Sequence, residues 1–181
     1  MKSTNILFST LALLALAGGW VIHAQEVAPS KYELEAAFLY NFAKFVEWPP
    51  EALPAPATPF TIGVIGENPF DDALERTVKK ARAVNGHPFV VKSVKALSEL
   101  KNCHILFISD SERKRLPEIL AALQGASVLT VSEMDRFLQS GGMVRFVMEG
   151  NKVRFGINDE AGKRAGLKIS SKLLNLAKRT E

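Results

Sequence analysis

The stretch Ala36–Pro50, AAFLYNFAKFVEWPP, preceded by KYELE, constrains the fold more than any other part of the chain. On a 3.6-residue period Leu34, Phe38, Phe42 and Phe45 fall on one stripe, with Leu39 and Val46 on one flank and Trp48 on the other. Tyr40, Lys44 and Glu47 fall on the opposite face, and Glu35 and Asn41 intrude on the apolar arc. Pro49 and Pro50 end the helix, because proline lacks an amide and restricts the residue before it. A short helix with this load of rings cannot stand alone in water and needs a sheet or a partner to cover it. The plainest expectation is a core helix with Phe38, Phe42 and Phe45 buried. A sharper one gives the polar margin, Tyr40, Asn41, Lys44, Glu47 and Trp48, a second use as a binding surface.

The remaining text alternates strand and helix. FTIGVIG, residues 60–66, is β-branched and nearly all apolar, as a parallel strand covered on both faces must be. Asn68 and Pro69 fit the cap and first position of a helix over 70–80, and Asn85-Gly86 fits a turn before a strand over 88–94. Strands follow at 104–109 and 127–131, with a helix between them capped by Asp110 or Ser111. Ser132 with Asp135 has the spacing of a capping box and predicts a short helix to Leu138. Strands 143–148 and 152–157, joined by Glu149-Gly150-Asn151, read as an antiparallel hairpin. Asn158 then caps a helix closed by Gly166, and Ser170 or Ser171 opens a last helix with Ile169, Leu173, Leu176 and Ala177 on one face. The pattern predicts an α/β three-layer sandwich: a mainly parallel central sheet with an antiparallel C-terminal hairpin, and helices on both faces.

Residues 1–24 differ from the rest. Lys2, an apolar run over 6–17, Gly18-Gly19 and Ile22-His23-Ala24 have the order of a secretory signal peptide cut after Ala24. An uncleaved anchor is the alternative, although the run is short for a membrane span. Residues 25–181, within a chain 47% hydrophobic and 23% charged, suit a single domain with a sizeable core, placed in a periplasm. The lone cysteine, Cys103, cannot form an internal disulfide; a buried thiol is expected, with an intermolecular bridge as the alternative. A formal charge of +4 is small, and an exported domain meets little nucleic acid, so none is expected as a partner. The positive residues gather only near the C-terminus, at Lys163, Arg164, Lys168, Lys172, Lys178 and Arg179, where Lys172 and Arg179 could steer an acidic partner.

No catalytic set emerges. Gly63-Val64-Ile65-Gly66 lacks the spacing of either phosphate-binding fingerprint. His87 and His104 have no metal-type spacing, Cys103 and His104 belong to opposite faces of a strand, and GxSxG is absent. Asp71-Asp72 and Asp159-Glu160 suit helix starts. The expectation is a protein without catalytic residues, metal or cofactor.

The segments KYELEAAFLYNFAKFVEWP, FTIGVIGENPF, CHILFISDSE, VLTVSEMDRFLQSGGMVRFVMEG and KVRFGINDEAGKRAGLKISSKLLNLAK together resemble the YfiR family of periplasmic proteins. The resemblance implies a non-enzymatic repressor that binds the periplasmic region of an inner-membrane diguanylate cyclase of the YfiN type. It also implies an OmpA-like outer-membrane lipoprotein as an antagonist; a homodimer is a further expectation. Better-known members carry paired cysteines, which this chain lacks. A small-molecule binder serving another membrane sensor, such as a histidine kinase, is the alternative, and an exported hydrolase a third reading.

Overall fold

The computed structural model describes residues 28–55, 57–81 and 83–178. The expected signal segment, its expected cleavage point and Arg179 lie outside them. In chain order the helices are α1 (Lys31–Phe45), α2 (Ala73–Ala81), α3 (Leu116–Ala122), α4 (Asp159–Arg164) and α5 (Ser171–Leu176). The strands are β1 (Val46–Glu47), β2 (Phe60–Ile65), β3 (Ala83–Val84), β4 (His87–Val94), β5 (Ile105–Ile108), β6 (Leu129–Ser132), β7 (Val144–Glu149), β8 (Lys152–Ile157) and β9 (Lys168–Ile169).

The central sheet runs β3-β4-β2-β5-β6-β7-β8. Its five inner strands are parallel, and β3 and β8 are antiparallel at the edges. This is the expected α/β sandwich. Burial on both faces is visible in β5: Ile105 and Phe107 join the core under α1 and α2, whereas Leu106 and Ile108 join the core under α3. After β2 the chain adds β4 on one side, then crosses back to add β5 on the other, so β2 and β5 flank a reversal of winding.

Local chemistry fixes the element ends. Ser30 and Glu33 form a full capping box at the start of α1, with Glu33 N–H donating to Ser30 Oγ (3.2 Å) and Ser30 N–H donating to Glu33 Oε2 (2.8 Å). Asn158 accepts from Ala161 N–H and Ser170 from Leu173 N–H, as their cap positions require. The β7–β8 hairpin pairs Glu149 with Lys152 across Gly150-Asn151. Asn85 and Gly86 both take positive φ (49° and 86°), the geometry of a tight hairpin, and this generates β3, a strand too short to read from sequence.

Several expectations are corrected. Helix α1 ends at Phe45, because Val46 turns extended and pairs with Ile169; Glu47 and Trp48 therefore leave the helix. Ile169 belongs to β9 and not to the last helix, and Leu176 is exposed. The second helix starts at Ala73, after a turn in which Asp71 has φ 48°. The segment from Asp110 is a 3-10 turn to Arg115 before α3 begins. No helix forms over Ser132–Leu138: Ser132 ends β6, its hydroxyl donates to the Ile108 carbonyl (2.7 Å) and accepts from Met134 N–H, Asp135 pairs with Arg145 instead, and Arg136 takes φ 60°.

The buried face of α1 consists of Glu35, Ala36, Leu39, Phe42 and Ala43. Phe42 is fully buried as expected, but Phe38 and Phe45 are only partly buried against the core. No described helix is long and apolar enough to cross a membrane.

Candidate functional site

Where α1 gives way to β1, the chain forms one wall of a recess of about 440 Å³. Lys44, Glu47 and Trp48 line it, facing Asn85 and His87 of the β3–β4 hairpin. Trp48 sits edge-on to Phe60, with ring centroids 4.9 Å apart at 89°. Its indole N–H is buried without an acceptor, a state that costs roughly 1–3 kcal/mol. Beside the recess, the Lys44 ammonium stands 5.5 Å from the centre of the Tyr40 ring, and Tyr40 packs edge-on to Phe89. Asn41 is half-buried on the same helix. The structure thus brings Lys44, Glu47 and Trp48 together, with Tyr40 adjoining through Lys44. Lys172 does not line this recess; it stands over the Phe45 ring at 5.3 Å.

A second cluster was legible only as an anomaly, the acid intruding on an apolar helix face. Glu35 is fully buried, and neither carboxyl oxygen has a hydrogen-bond partner. Burial, then the negative charge of Glu133, push its pKa up to about 8, against the pull of Lys31. Lys31 pairs directly with Glu133 and lies 3.9 Å from Glu35.

A second recess, about 570 Å³, lies where β2 and β5 begin and includes Cys103 and His104 in its lining. His104 Nδ1 accepts from Thr61 N–H (2.9 Å), so Nε2 carries the proton and donates to the Ala52 carbonyl (3.0 Å). Burial lowers its proton affinity, against the opposing pull of its bond to the Ala52 carbonyl, and holds it neutral. Burial pushes the Cys103 thiol up to about 11, so it rests as an unreactive thiol. Cys103→Ser should fold with a loss of about 1–2 kcal/mol for the buried hydroxyl, and the melt of the wild type should be unchanged by reductant. A large fall on adding reductant would point to an intermolecular disulfide.

At the β2–β5 switch point no anion cradle is open. Gly66 takes φ 90°, the Ser111 and Glu112 side chains fill the space beside it, and Glu67 N–H donates to Ser111 Oγ (2.9 Å). Among the described residues, no three His, Cys, Asp or Glu side chains gather as a metal site.

In overall fold the chain is similar to the crystal structure of a conserved domain protein from Vibrio cholerae O1 biovar El Tor, with a TM-score of 0.56. Identity is 11%, and the match covers 82% of this chain and 59% of the Vibrio chain, so it speaks to the fold alone. The sequence itself matches the family described as YfiR/HmsC-like over residues 32–178, from the start of α1 to the last described residue. With that match spanning every element of the sandwich, the chain belongs to the YfiR/HmsC-like family.

Proposed function

We propose that this chain is an exported periplasmic regulator that binds the periplasmic region of an inner-membrane signalling protein, a diguanylate cyclase in the first instance, and represses it. Family membership over residues 32–178 supports the class of function. Within the chain, the surface at the end of α1 supports the place of contact. Tyr40, Lys44, Glu47 and Trp48 combine aromatic area, both signs of charge and an indole donor that lacks an acceptor. Aromatic side chains of this kind contribute most at interface centres. Lys172 and Arg179 would add charge steering on approach. The role needs no catalytic residue. An OmpA-like lipoprotein or a second copy of the chain would compete for the same surface.

The test is complementation of a deletion strain with cyclic-di-GMP as the readout. Lys44 is exposed, so Lys44→Glu should keep the melt within about 0.5 kcal/mol of wild type. Tyr40→Ala should cost about 1 kcal/mol, because it loses the edge contact with Phe89. At least one of the two should raise cyclic-di-GMP. Full repression by both folded variants would remove this surface from consideration.

The second reading, a small-molecule binder serving a histidine kinase, is favoured by the volume of the Trp48 recess, which falls within the range of ligand pockets. Purification from membranes with a kinase, and not a cyclase, would select it.

A further inference from the structure

We infer that Glu35, Glu133 and Lys31 form a proton-operated latch between the start of α1 and the loop after β6, closed at neutral pH and below and loosened at higher pH. The argument starts from donors and acceptors. The cluster contains two carboxyl groups and one ammonium. Lys31 is engaged by Glu133, and its 3.9 Å separation from Glu35 Oε1 exceeds hydrogen-bond reach. As a carboxylate, Glu35 would be a fully buried anion with acceptors on both oxygens and a donor on neither. As an acid it gains one O–H donor, and the Glu133 carboxylate is the acceptor beside it. The protonated cluster then has one negative charge, on Glu133, matched by Lys31.

Among the described residues, Lys31 is the cation that acts on Glu35. Arg76 of α2 is taken by Glu33 and Asp72, Arg145 of β7 by Asp135, Arg154 of β8 by Glu149, and Lys172 of α5 stands over Phe45. Loss of the proton leaves two anions facing one cation, with Glu35 itself shut off from water, and separation of α1 from the loop admits the water that an ionised Glu35 needs. The rest of the loop keeps separate anchors, the Asp135–Arg145 pair and the hydrogen bond from Asn158 Nδ2 to the Leu138 carbonyl (3.0 Å). The opening is therefore local to the Glu35 contact.

The folded state holds the Glu35 proton more tightly than the unfolded chain, so the stability it contributes is full at low pH. It is lost as pH rises from the ordinary glutamate range to about 8. His104 acts in the opposite sense: its lowered affinity contributes stability above the unfolded histidine value, lost as pH falls toward the folded one. The raw melting curve of the wild type mixes the two, so the informative quantity is its difference from Glu35→Gln. At pH 5 the two should melt together. At pH 8.5 Glu35→Gln should melt higher by roughly 5–10 °C. A variant melting at or below wild type at both pH values would overturn the latch. If Glu35→Gln fails to fold, carboxyl-carbon NMR of the wild type decides: one glutamate should titrate near pH 8, and titration of every glutamate below about pH 5.5 would overturn the assignment. Loosening is read by amide exchange in the first turns of α1. Protection, corrected for intrinsic rate, should fall roughly tenfold between pH 6.5 and 9 in the wild type. Equal protection at the two pH values would refute an opening.

Discussion

Replacing Phe42 with alanine should destabilise the protein by about 3–5 kcal/mol and lower its melting temperature by roughly 10 °C. Phe42 is fully buried and is the hub of an aromatic cluster. Its ring stacks on Phe146 of β7 (5.8 Å, 20°) and on Phe38 (6.2 Å, 29°), and meets the edge of Phe155 of β8 (5.3 Å, 74°). Truncation would forfeit these contacts and leave a cavity between α1 and the hairpin strands, which rigid β-sheet backbone cannot collapse to fill. Total stabilities of domains this size are about 5–15 kcal/mol, so the variant would sit near the edge of folding. Phe45→Ala, at a half-buried position partly shielded by Lys172, should cost clearly less. A Phe42→Ala melt equal to wild type would mean that another face of α1 meets the sheet.

Gly63→Ala should also destabilise the protein, by less and for the opposite reason. Gly63 lies within β2, and a Cβ there would approach Cys103 Sγ to 2.5 Å, with Val94 and Leu106 side-chain carbons at 3.0 and 3.2 Å. Overpacking of this kind costs about 1–3 kcal/mol. The sulfur is the nearest obstacle, and Cys103→Ala removes it. The double variant Gly63→Ala/Cys103→Ala should therefore be more stable than the sum of the single effects by about 1 kcal/mol or more, read by denaturant unfolding. Strict additivity would mean that the glycine serves some purpose other than making room for the thiol.

The parts of the fold legible in the sequence are those where one short segment decides the outcome. The apolar runs of β2 and β5, the Gly150-Asn151 hairpin and the Ser170 and Asn158 caps each state their structure locally. The exact face of α1 does not. Large rings drew the expected stripe toward Phe38 and Phe45, whereas the helix lies on the sheet along Ala36, Leu39, Phe42 and Ala43. Small side chains let a helix approach a sheet closely, and that depends on what the sheet presents. The candidate surface was half legible: Lys44, Glu47 and Trp48 meet at one recess, but the hairpin that forms its other wall, with Asn85 and His87, comes from a strand two residues long. Glu35 showed as a flaw in the apolar arc, yet its meaning required Glu133, a residue from a loop expected to be helical. The end of α1 was misplaced because its partner strand, at Ile169, lies far along the chain.

That last pairing has a consequence for how the protein comes into being. Val46 and Glu47 bond to Ile169 and Lys168, and the Phe45 carbonyl accepts from Ser170 N–H, so the beginning of the domain is fastened by its end. Phe42 likewise rests on Phe146 and Phe155. A chain delivered amino-terminus first would present the rings of α1 long before the residues that cover them arrive, and closing so long a loop must precede any gain from the contact. Folding of this domain is thus expected to be a single late event and not a progressive one, and until it happens the aromatic helix is the segment that a chaperone would have to shelter.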